Sequence, residues 1–148
     1  YPQEIQPGTH SDHIVLNTDF APLFLDYARL PVPEFMQGRS FRPVLRGEET
    51  PNWRRSMYYR YFMHLAHHNV YAHYGVRTHR YKLIYYYENE PDPPEWELFD
   101  LEKDPHELRN VYDDPAYADV AQQLKAELHR LRVEVGDLTN PWEGEPNA

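Results

Sequence analysis

The sequence predicts an α+β fold in which an antiparallel sheet of about four strands packs against a C-terminal helix. Three observations lead to this prediction. Four segments rich in strand-forming residues follow one another in the middle of the chain. The short connection Thr78-His79-Arg80 is suited to a hairpin between two of them. An apolar stripe at helical spacing then runs through residues 115–135.

One helix and a connector precede the predicted sheet. Residues 1–12 are polar and contain proline and glycine, so they are predicted to form a loop. The apolar run 14–16 favours a short buried strand, and Thr18 is a suitable N-cap for a helix that ends before Pro31. The apolar side chains of this helix recur at helical spacing, at Phe20, Leu23, Phe24 and Tyr27. Residues 36–47 are predicted to hold only a short helical turn.

The strand candidates are rich in tyrosine, valine and isoleucine, which favour pleated structure. They cover residues 57–62, 70–77, 81–87 and 95–101. Tyrosine suits a half-buried sheet face because its ring packs while its hydroxyl stays in water. Residues 88–94 contain three prolines and are predicted to form an exposed loop.

The C-terminal helix has the clearest sequence signals. Asp114 is a suitable N-cap, Pro115 fits the first helical position, and Gly136 is a natural stop. Its apolar stripe consists of Val120, Leu124, Leu128, Leu131 and Val135. This stripe is predicted to cover one face of the sheet. The residues after Gly136 are polar and are predicted to form a frayed tail.

Composition excludes several classes of function. The net charge is -9, from 15 basic and 24 acidic residues, which argues against nucleic acid as a partner. The chain has no cysteine, so disulfides, thiolate zinc sites and cysteine nucleophiles are excluded within it. No apolar run approaches the roughly 18 residues of a membrane span, so no membrane partner is predicted.

Four segments in series resemble sulfatases of the alkaline-phosphatase-like superfamily. LNTDFAP at 16–22 resembles the start of a late helix of the large sulfatase domain, and MQGRSF at 36–41 resembles the connector that follows. YGVRTHRYKLI at 74–84 resembles the central hairpin of the C-terminal subdomain. WELFDLEKDPHE at 96–107 resembles the closing ELYDL-x-x-DP-x-E motif and is the most specific match. The resemblance is nearest to arylsulfatases and N-acetylglucosamine-6-sulfatases.

The resemblance implies a division of the chain. Residues 1–35 would be the end of the large α/β sulfatase domain, 36–54 a connector, 55–138 the C-terminal subdomain and 139–148 a flexible tail. The chain opens at Tyr1 rather than at Met, and we expect it to be the C-terminal portion of a longer enzyme. Its partner would be the upstream catalytic domain of the same polypeptide. The family resemblance implies a periplasmic or secreted protein.

The family's nucleophile cannot be matched in this sequence. Members oxidise a Cys or Ser in a C/S-x-P-x-R motif to formylglycine. Ser56 has Arg60 four residues later, but Tyr58 stands where the motif needs proline. The remaining serines are Ser11 and Ser40. We therefore assign no catalytic residue to this chain and expect it to be inactive alone, although its parent would be a sulfuric ester hydrolase.

The family's calcium site is not expected here either. Calcium needs several convergent oxygen ligands. Asp12, Asp19 and Asp26 are spread over a predicted loop and helix, so they are not expected to converge. Both calcium and formylglycine are expected in the full-length parent, and no cofactor is assigned to this chain.

A histidine-rich segment is the candidate for substrate contact. HLAHHNVYAHY at 64–74 resembles the H-N-V-x-x-H-Y-G-I/V-R-T pattern of members that act on 6-sulfated N-acetylglucosamine. His68 and His73 would hydrogen-bond sugar hydroxyls, since neutral imidazole offers one donor and one acceptor. Arg77 would contact an acidic or sulfated group, or a carboxylate of the fold. The substrate class implied is a sulfated glycan or an aryl sulfate.

Alternative interpretations remain open at this point. One alternative is that the histidines form an exposed loop without a role, and another is that His64 and His68, four residues apart, bind zinc. For the chain as a whole, one alternative is a stand-alone carbohydrate-binding or interaction module that stacks sugars on its tyrosines. The other is a part of a phosphoester hydrolase. A sulfatase fragment predicts an exposed apolar surface on the first helix, formed by Phe20, Leu23 and Phe24.

Overall fold

A computed structural model describes residues 1–88 and 95–146. Within them lie helices α1 (Phe20–Tyr27), α2 (Arg42–Leu45) and α3 (Ala118–Val135), and strands β1 (Ser56–Tyr61), β2 (His73–Thr78), β3 (Tyr81–Tyr86) and β4 (Trp96–Asp100). The chain divides into two units, Tyr1–Arg55 and Ser56–Ala148. The finer predicted boundaries, after residues 35 and 138, stay predictions. Most of the predicted proline loop, 89–94, lies outside the described residues.

The four strands form an antiparallel sheet in the order β1-β2-β3-β4. The predicted fold class is confirmed, with an N-terminal helix, the sheet and a C-terminal helix. The hairpin between β2 and β3 is held by the Thr78 hydroxyl oxygen, which accepts the N–H groups of Arg80 at 3.2 Å and Tyr81 at 2.8 Å. The second strand begins at His73, three residues later than predicted, because residues 70–72 still belong to the preceding loop.

One face of the sheet and the apolar stripe of α3 form the main core. The buried sheet residues Tyr74, Val76 and Leu83 alternate with residues on the other face, as the pleat requires. The helix contributes Ala121, Leu124, Leu128 and Leu131. Two residues of the predicted stripe, Val120 and Val135, lie at its half-buried margin. The prediction that this stripe covers one sheet face is confirmed.

The ends of α3 follow the predicted signals. An Asp114 carboxylate oxygen accepts the N–H of Ala116 at 3.0 Å, and Pro115 begins a 3₁₀ turn that leads into the helix. Gly136 ends the helix at φ 72°, a left-handed conformation that glycine adopts at little cost. Among the helices of the described residues, none combines the length and apolarity that a bilayer crossing demands.

The closing motif of the sequence completes the edge of the sheet. The Asn110 side chain accepts the N–H of Leu98 at 3.0 Å and donates to the carbonyl of Trp96 at 3.0 Å, so it bonds the outer edge of β4. Asp100 accepts two hydrogen bonds from Arg80, at 2.9 and 3.0 Å. These bonds lower the pKa of the Asp100 carboxyl to about 2, despite the opposing effect of desolvation. The motif therefore holds the fold rather than a ligand.

The segment after Gly136 contributes to the core, which the polar-tail prediction did not include. Trp142 is only 6% exposed and packs its ring against Trp96 at 5.5 Å. The guanidinium of Arg132 is fully buried, donates to the carbonyls of Asp137 and Thr139, and forms an ion pair with Glu145. A single tryptophan in a polar stretch gives no periodic signal, so its burial was missed.

In Tyr1–Arg55, a buried carboxylate organises the chain. Asp19 accepts the N–H groups of Leu16 at 2.8 Å and Arg39 at 3.0 Å, and it is bonded by the guanidinium of Arg54. Burial alone raises the pKa of this carboxyl, but the bonds from Arg54 and the two amides outweigh it and hold the pKa below its ordinary value. The predicted strand at 14–16 is wrong, because these residues are irregular and lead into a 3₁₀ turn, Asn17–Asp19, where Asp19 binds the N–H of Leu16.

The first helix exposes part of the predicted apolar surface. Phe20 is 46% exposed and Phe24 is 65% exposed. The prediction is wrong for Leu23, which is 5% exposed and packs with Phe41 and Val44. The helix therefore presents two aromatic rings to solvent while a third apolar residue anchors it.

Replacing Trp142 with alanine should lower the free energy of unfolding by about 3 to 5 kcal/mol, since a buried tryptophan leaves a large cavity. Urea titration of the purified chain measures this difference. Leu138→Ala is the matched control, because Leu138 is exposed in the same segment and its loss should change stability little. Equal effects of the two substitutions would contradict the packing of Trp142.

Asp137 should make the chain sensitive to acid. Although desolvation opposes it, the hydrogen bonds from Tyr58, Thr139 and Arg60 lower the pKa of this carboxyl to about 2. Because the folded-state pKa lies below the ordinary value, this stabilisation is complete above about pH 4 and is lost as the pH falls towards 2. Its size is about 2 kcal/mol.

The urea concentration at the midpoint of unfolding, measured from pH 7 down to pH 2.5, tests whether stability falls with pH as expected. Asp137→Asn should be less stable at pH 7 and should show a shallower loss of stability below pH 4. Asp113→Asn, at an exposed position, should keep the wild-type slope. An unchanged acid slope in Asp137→Asn would show that the stabilisation comes from elsewhere.

Candidate functional site

The sheet face opposite α3 carries the buried apolar residues Ile84 and Phe99 and, beside them, a cluster of polar and aromatic side chains. We call it the tyrosine–histidine face, and it consists of Tyr59, Tyr61, His73, Arg77, Lys82, Tyr86 and Glu97. Strand alternation places these side chains together because the residues between them are buried beneath α3. Two of the three predicted substrate-binding residues, His73 and Arg77, therefore share one face of β2.

Gly75 makes room for Tyr59 at the centre of this face. The two residues are direct cross-strand partners. A Cβ atom at Gly75 would lie 2.7 Å from the Tyr59 hydroxyl oxygen and 2.3 Å from the carbonyl oxygen of Leu83, so only glycine fits. The Tyr59 hydroxyl is buried and has no hydrogen-bond partner within residues 1–88 and 95–146. Burial, followed by the influence of Tyr86, Glu107 and Glu97, raises the pKa of Tyr59.

Three tyrosine rings surround His73. Tyr61 stacks on the imidazole with ring centroids 5.6 Å apart, and Tyr59 approaches edge-on at 5.8 Å. Tyr86 lies at 5.5 Å and donates its hydroxyl to a Glu97 carboxylate oxygen at 2.8 Å. Burial and this hydrogen bond raise the pKa of Tyr86, so the ring stays neutral.

The two cations of this face, Lys82 and Arg77, differ in whether a neighbouring carboxylate already balances their charge. Lys82 forms an ion pair with Glu107, so its charge is balanced within the domain. The Arg77 side chain is exposed, and its guanidinium makes no ion pair or hydrogen bond to the part of the chain that the structure describes. Arg77 is therefore the cation that remains able to bind an external anion.

His68 lies outside the strand that carries His73 and Arg77. It is exposed in the histidine loop, residues 62–72. The loop is irregular, with Leu65 and Asn69 in the left-handed region at φ 48° and 50°. It is closed by the N–H of Leu65, which donates to the carbonyl of Val70 at 2.8 Å. Because the loop is not helical, His68 does not share a helix face with His64, which the zinc interpretation required.

The sequence assigns Tyr59 and Tyr61 only to the carbohydrate-stacking alternative, not to a cluster around His73, and it does not identify Glu97. The signal that finds the tyrosines is their period of two, which keeps Tyr59 and Tyr61 on one side of β1. Gly75 is the second signal, since a glycine within a strand marks a close approach by a neighbour. Glu97 has no comparable signal, because its role depends on the register between β3 and β4.

The described residues do not offer a calcium cage. Within residues 1–88 and 95–146, no group of three or more histidine, aspartate or glutamate side chains converges as metal ligands would. The oxygens of Asp19 are bonded by Arg54 and two backbone amides. Asp26 accepts from Ser40 at 2.6 Å and from Arg42 at 2.9 Å. These carboxylates serve the fold, and calcium does not fit among them.

Comparison with known proteins places the chain among sulfatases. The family model for the C-terminal region of N-sulphoglucosamine sulphohydrolase matches residues 1–134. An N-acetylglucosamine-6-O-sulfatase from Bacteroides thetaiotaomicron is 41% identical over 139 residues, which are 93% of this chain and 24% of that protein. A protein solved in complex with its substrate D-glucosamine-2-N,6-O-disulfate is 38% identical, with a TM-score of 0.87, and the match covers 95% of this chain and 28% of that one.

A third neighbour has different chemistry. A phosphonate monoester hydrolase from Silicibacter pomeroyi is 26% identical, with a TM-score of 0.64 over 82% of this chain and 25% of that one. The chain thus spans about a quarter of the length of the proteins it resembles. It belongs to the sulfatases, as a member of the family formed by the C-terminal domain of N-sulphoglucosamine sulphohydrolase.

Proposed function

We propose that this chain completes the substrate pocket of a sulfatase whose upstream region carries out the hydrolysis. The observation that carries the proposal is the pair His73 and Arg77 on one face of β2, a hydrogen-bonding imidazole and a cation without an ion pair in the described residues.

Arg77 supplies a local positive charge on a chain whose net charge is negative. With a net charge of -9, the chain as a whole repels an anionic substrate, so a local cation has to attract it. A guanidinium presents parallel N–H donors that match a sulfate or carboxylate. Lys82 cannot substitute for it, because Glu107 balances the Lys82 charge.

The proposed substrate is a sulfated glycan. The relative from Bacteroides thetaiotaomicron is an N-acetylglucosamine-6-O-sulfatase, which supports 6-O-sulfated N-acetylglucosamine units as the first candidate. His73 would contact a sugar hydroxyl, and His68 would approach the sugar from the histidine loop. An aryl sulfate offers fewer hydroxyl groups for these imidazoles and is the less suitable substrate.

The upstream region would hold formylglycine and calcium. Together these supply a nucleophile for attack on sulfur and a cation that stabilises the developing charge. The residues of this chain would bind and orient the glycan beside them. The parent enzyme is proposed to be periplasmic or secreted, where sulfated glycans are encountered.

The apolar surface of the first unit suits packing against that upstream region. Phe20 and Phe24 are exposed on α1, and Leu30, Val32 and Phe35 are exposed in the segment that follows. Exposed rings of this kind mark an interaction surface. We propose the upstream region as its occupant, because the relatives are about four times longer than the part that matches this chain.

Two alternatives remain. The phosphonate monoester hydrolase neighbour favours a phosphorus ester as a second candidate substrate. A stand-alone carbohydrate-binding module would use the rings of the tyrosine–histidine face without any upstream region. Two measurements distinguish these alternatives from the main proposal. One is which ester the enzyme hydrolyses, and the other is whether this chain binds glycan without the upstream region.

A chimera tests the proposed function. The C-terminal part of the Bacteroides thetaiotaomicron sulfatase that aligns with this chain is replaced by this chain, and hydrolysis of N-acetylglucosamine-6-O-sulfate is measured. The chimera should be active, and the enzyme truncated at the same point should be inactive. A soluble, folded chimera without sulfatase activity would contradict the proposal. Hydrolysis of a phosphonate monoester in place of the sulfate would favour the second candidate.

Arg77→Met in the active chimera should raise KM for the sulfated sugar about ten-fold, since a charge-assisted hydrogen bond contributes roughly 1.5 to 3 kcal/mol. The value of kcat should change less, because the reacting centre lies in the upstream region. Arg109→Met, at an exposed position outside the tyrosine–histidine face, is the control and should leave KM unchanged. Identical KM values for the two variants would exclude Arg77 from substrate binding.

A further inference from the structure

We propose that His73 is a fixed hydrogen-bond acceptor whose Nε2 receives a neutral hydroxyl or N–H group of the substrate and disfavours sulfate or carboxylate at that point. The identity of the ligand rests on the proposed function. The protonation pattern of the imidazole rests on the structure alone and can be tested separately.

The bond between His73 and the backbone fixes the position of the proton. His73 Nδ1 lies 2.7 Å from the carbonyl oxygen of Tyr71. A carbonyl oxygen only accepts hydrogen bonds, so Nδ1 must carry the hydrogen. Neutral imidazole has one N–H, and Nε2 is therefore left with a lone pair. Nε2 makes no hydrogen bond within residues 1–88 and 95–146.

His64 binds the same peptide unit in the opposite sense. The N–H of Ala72 donates to Nδ1 of His64 at 3.3 Å. An amide N–H only donates, so Nδ1 of His64 is the acceptor and its Nε2 carries the hydrogen. Both polar groups of the peptide bond between Tyr71 and Ala72 are thus bonded to imidazoles. Because opposite tautomers are expected for His64 and His73, each histidine is a reference for the tautomer of the other.

Packing keeps the His73 ring in this orientation. Tyr61 stacks on one side, Tyr59 meets it edge-on and Tyr86 lies beside it. Rotation of the imidazole by half a turn would replace the Nδ1 bond to Tyr71 with a C–H contact. Tyr61 is a positioning residue in this arrangement, since it acts on the substrate only through His73.

Neighbouring carboxylates do not hold the His73 proton. Glu97 accepts the hydroxyl of Tyr86, and Glu107 is paired with Lys82. Neither is hydrogen-bonded to His73. Within the described residues, Nε2 therefore has no carboxylate partner and stays open to a hydrogen-bond donor from the substrate.

This arrangement gives the face two different recognition points. An Nε2 lone pair attracts an O–H or N–H donor and repels the oxygens of sulfate or carboxylate. Arg77 lies four residues further along the same strand, on the order of 13 Å away, and attracts anions. One sugar hydroxyl cannot reach both, so His73 marks an unsulfated position of the glycan and Arg77 a charged one.

Nuclear magnetic resonance of the 148-residue chain tests the protonation pattern. With ¹⁵N-labelled histidine at about pH 8, above the ordinary imidazole pKa of about 6.5, correlations between ring nitrogens and ring protons identify the protonated nitrogen. His73→Asn and His64→Asn assign the signals. We expect Nδ1–H for His73 and Nε2–H for His64. An Nε2–H tautomer at His73 would overturn the inference.

Kinetics in the active chimera test the ligand. His73→Asn keeps a donor towards the Tyr71 carbonyl but lacks an acceptor at Nε2, so kcat/KM for N-acetylglucosamine-6-O-sulfate should fall about ten-fold. His73→Gln, whose amide oxygen can replace Nε2, should lose clearly less. His106→Gln, at an exposed turn, should leave the rate unchanged. Equal losses in the Asn and Gln variants would overturn the acceptor role.

Sugar analogues identify the donor. Removing the hydroxyl that His73 receives should cost the wild-type chimera about ten-fold in kcat/KM and cost His73→Asn nothing further. The probes are the 3-deoxy sugar, the 4-deoxy sugar and the 2-deoxy sugar, which lacks the whole acetamido group. Independent, additive losses for all three would overturn the inference. If the chimera hydrolyses no sulfate ester, the proposed function fails, while the resonance experiment still decides the state of His73.

Discussion

The burial of Tyr74, Val76 and Leu83 beneath α3 fixes the register of the whole sheet. Side chains alternate with a period of two, so a slip by one residue would move His73 and Arg77 into the core and the core residues into solvent. The apolar stripe of α3 excludes such a slip, because the slip would place the residues of the opposite sheet face against the stripe. The candidate site is therefore a consequence of the core on the opposite side of the same strands.

A polar network reinforces this register from the edge of the core. Tyr74 packs between two guanidinium groups, with Arg132 4.3 Å and Arg60 5.4 Å from its ring centroid. Its hydroxyl donates to the carbonyl of Asn140 at 2.7 Å, and Arg60 is paired with Asp137. These bonds attach the segment after α3 to β1 and β2. The tail thereby stabilises the strand that carries His73 and Arg77.

The sequence predicted the fold well because its signals are local. The cap at Asp114, the stop at Gly136 and the hairpin at Thr78 each depend on neighbouring residues. The errors arose where distant residues decide the structure. The segment 14–16 is irregular instead of a strand, and the 3₁₀ turn that follows it contains Asp19, whose carboxylate is bonded by Arg39 and Arg54, far along the chain.

The candidate site was predictable only in part. His73 and Arg77 were chosen because of a resemblance to sulfatases, and their shared face follows from alternation. The ring array around His73 depends on the pairing of β1 with β2 and of β2 with β3, which a sequence pattern does not specify. The same resemblance predicts His68, whose placement depends on an irregular loop that local sequence does not determine.

A crystal structure of the proposed parent sulfatase, bound to a 6-O-sulfated N-acetylglucosamine unit that carries a second anionic group, tests the central claim most directly. The account predicts a sugar hydroxyl or amide N–H within about 3 Å of His73 Nε2 and an anionic group facing Arg77. A substrate bound elsewhere, with the tyrosine–histidine face remote from it, would contradict the claim that this face recognises the glycan.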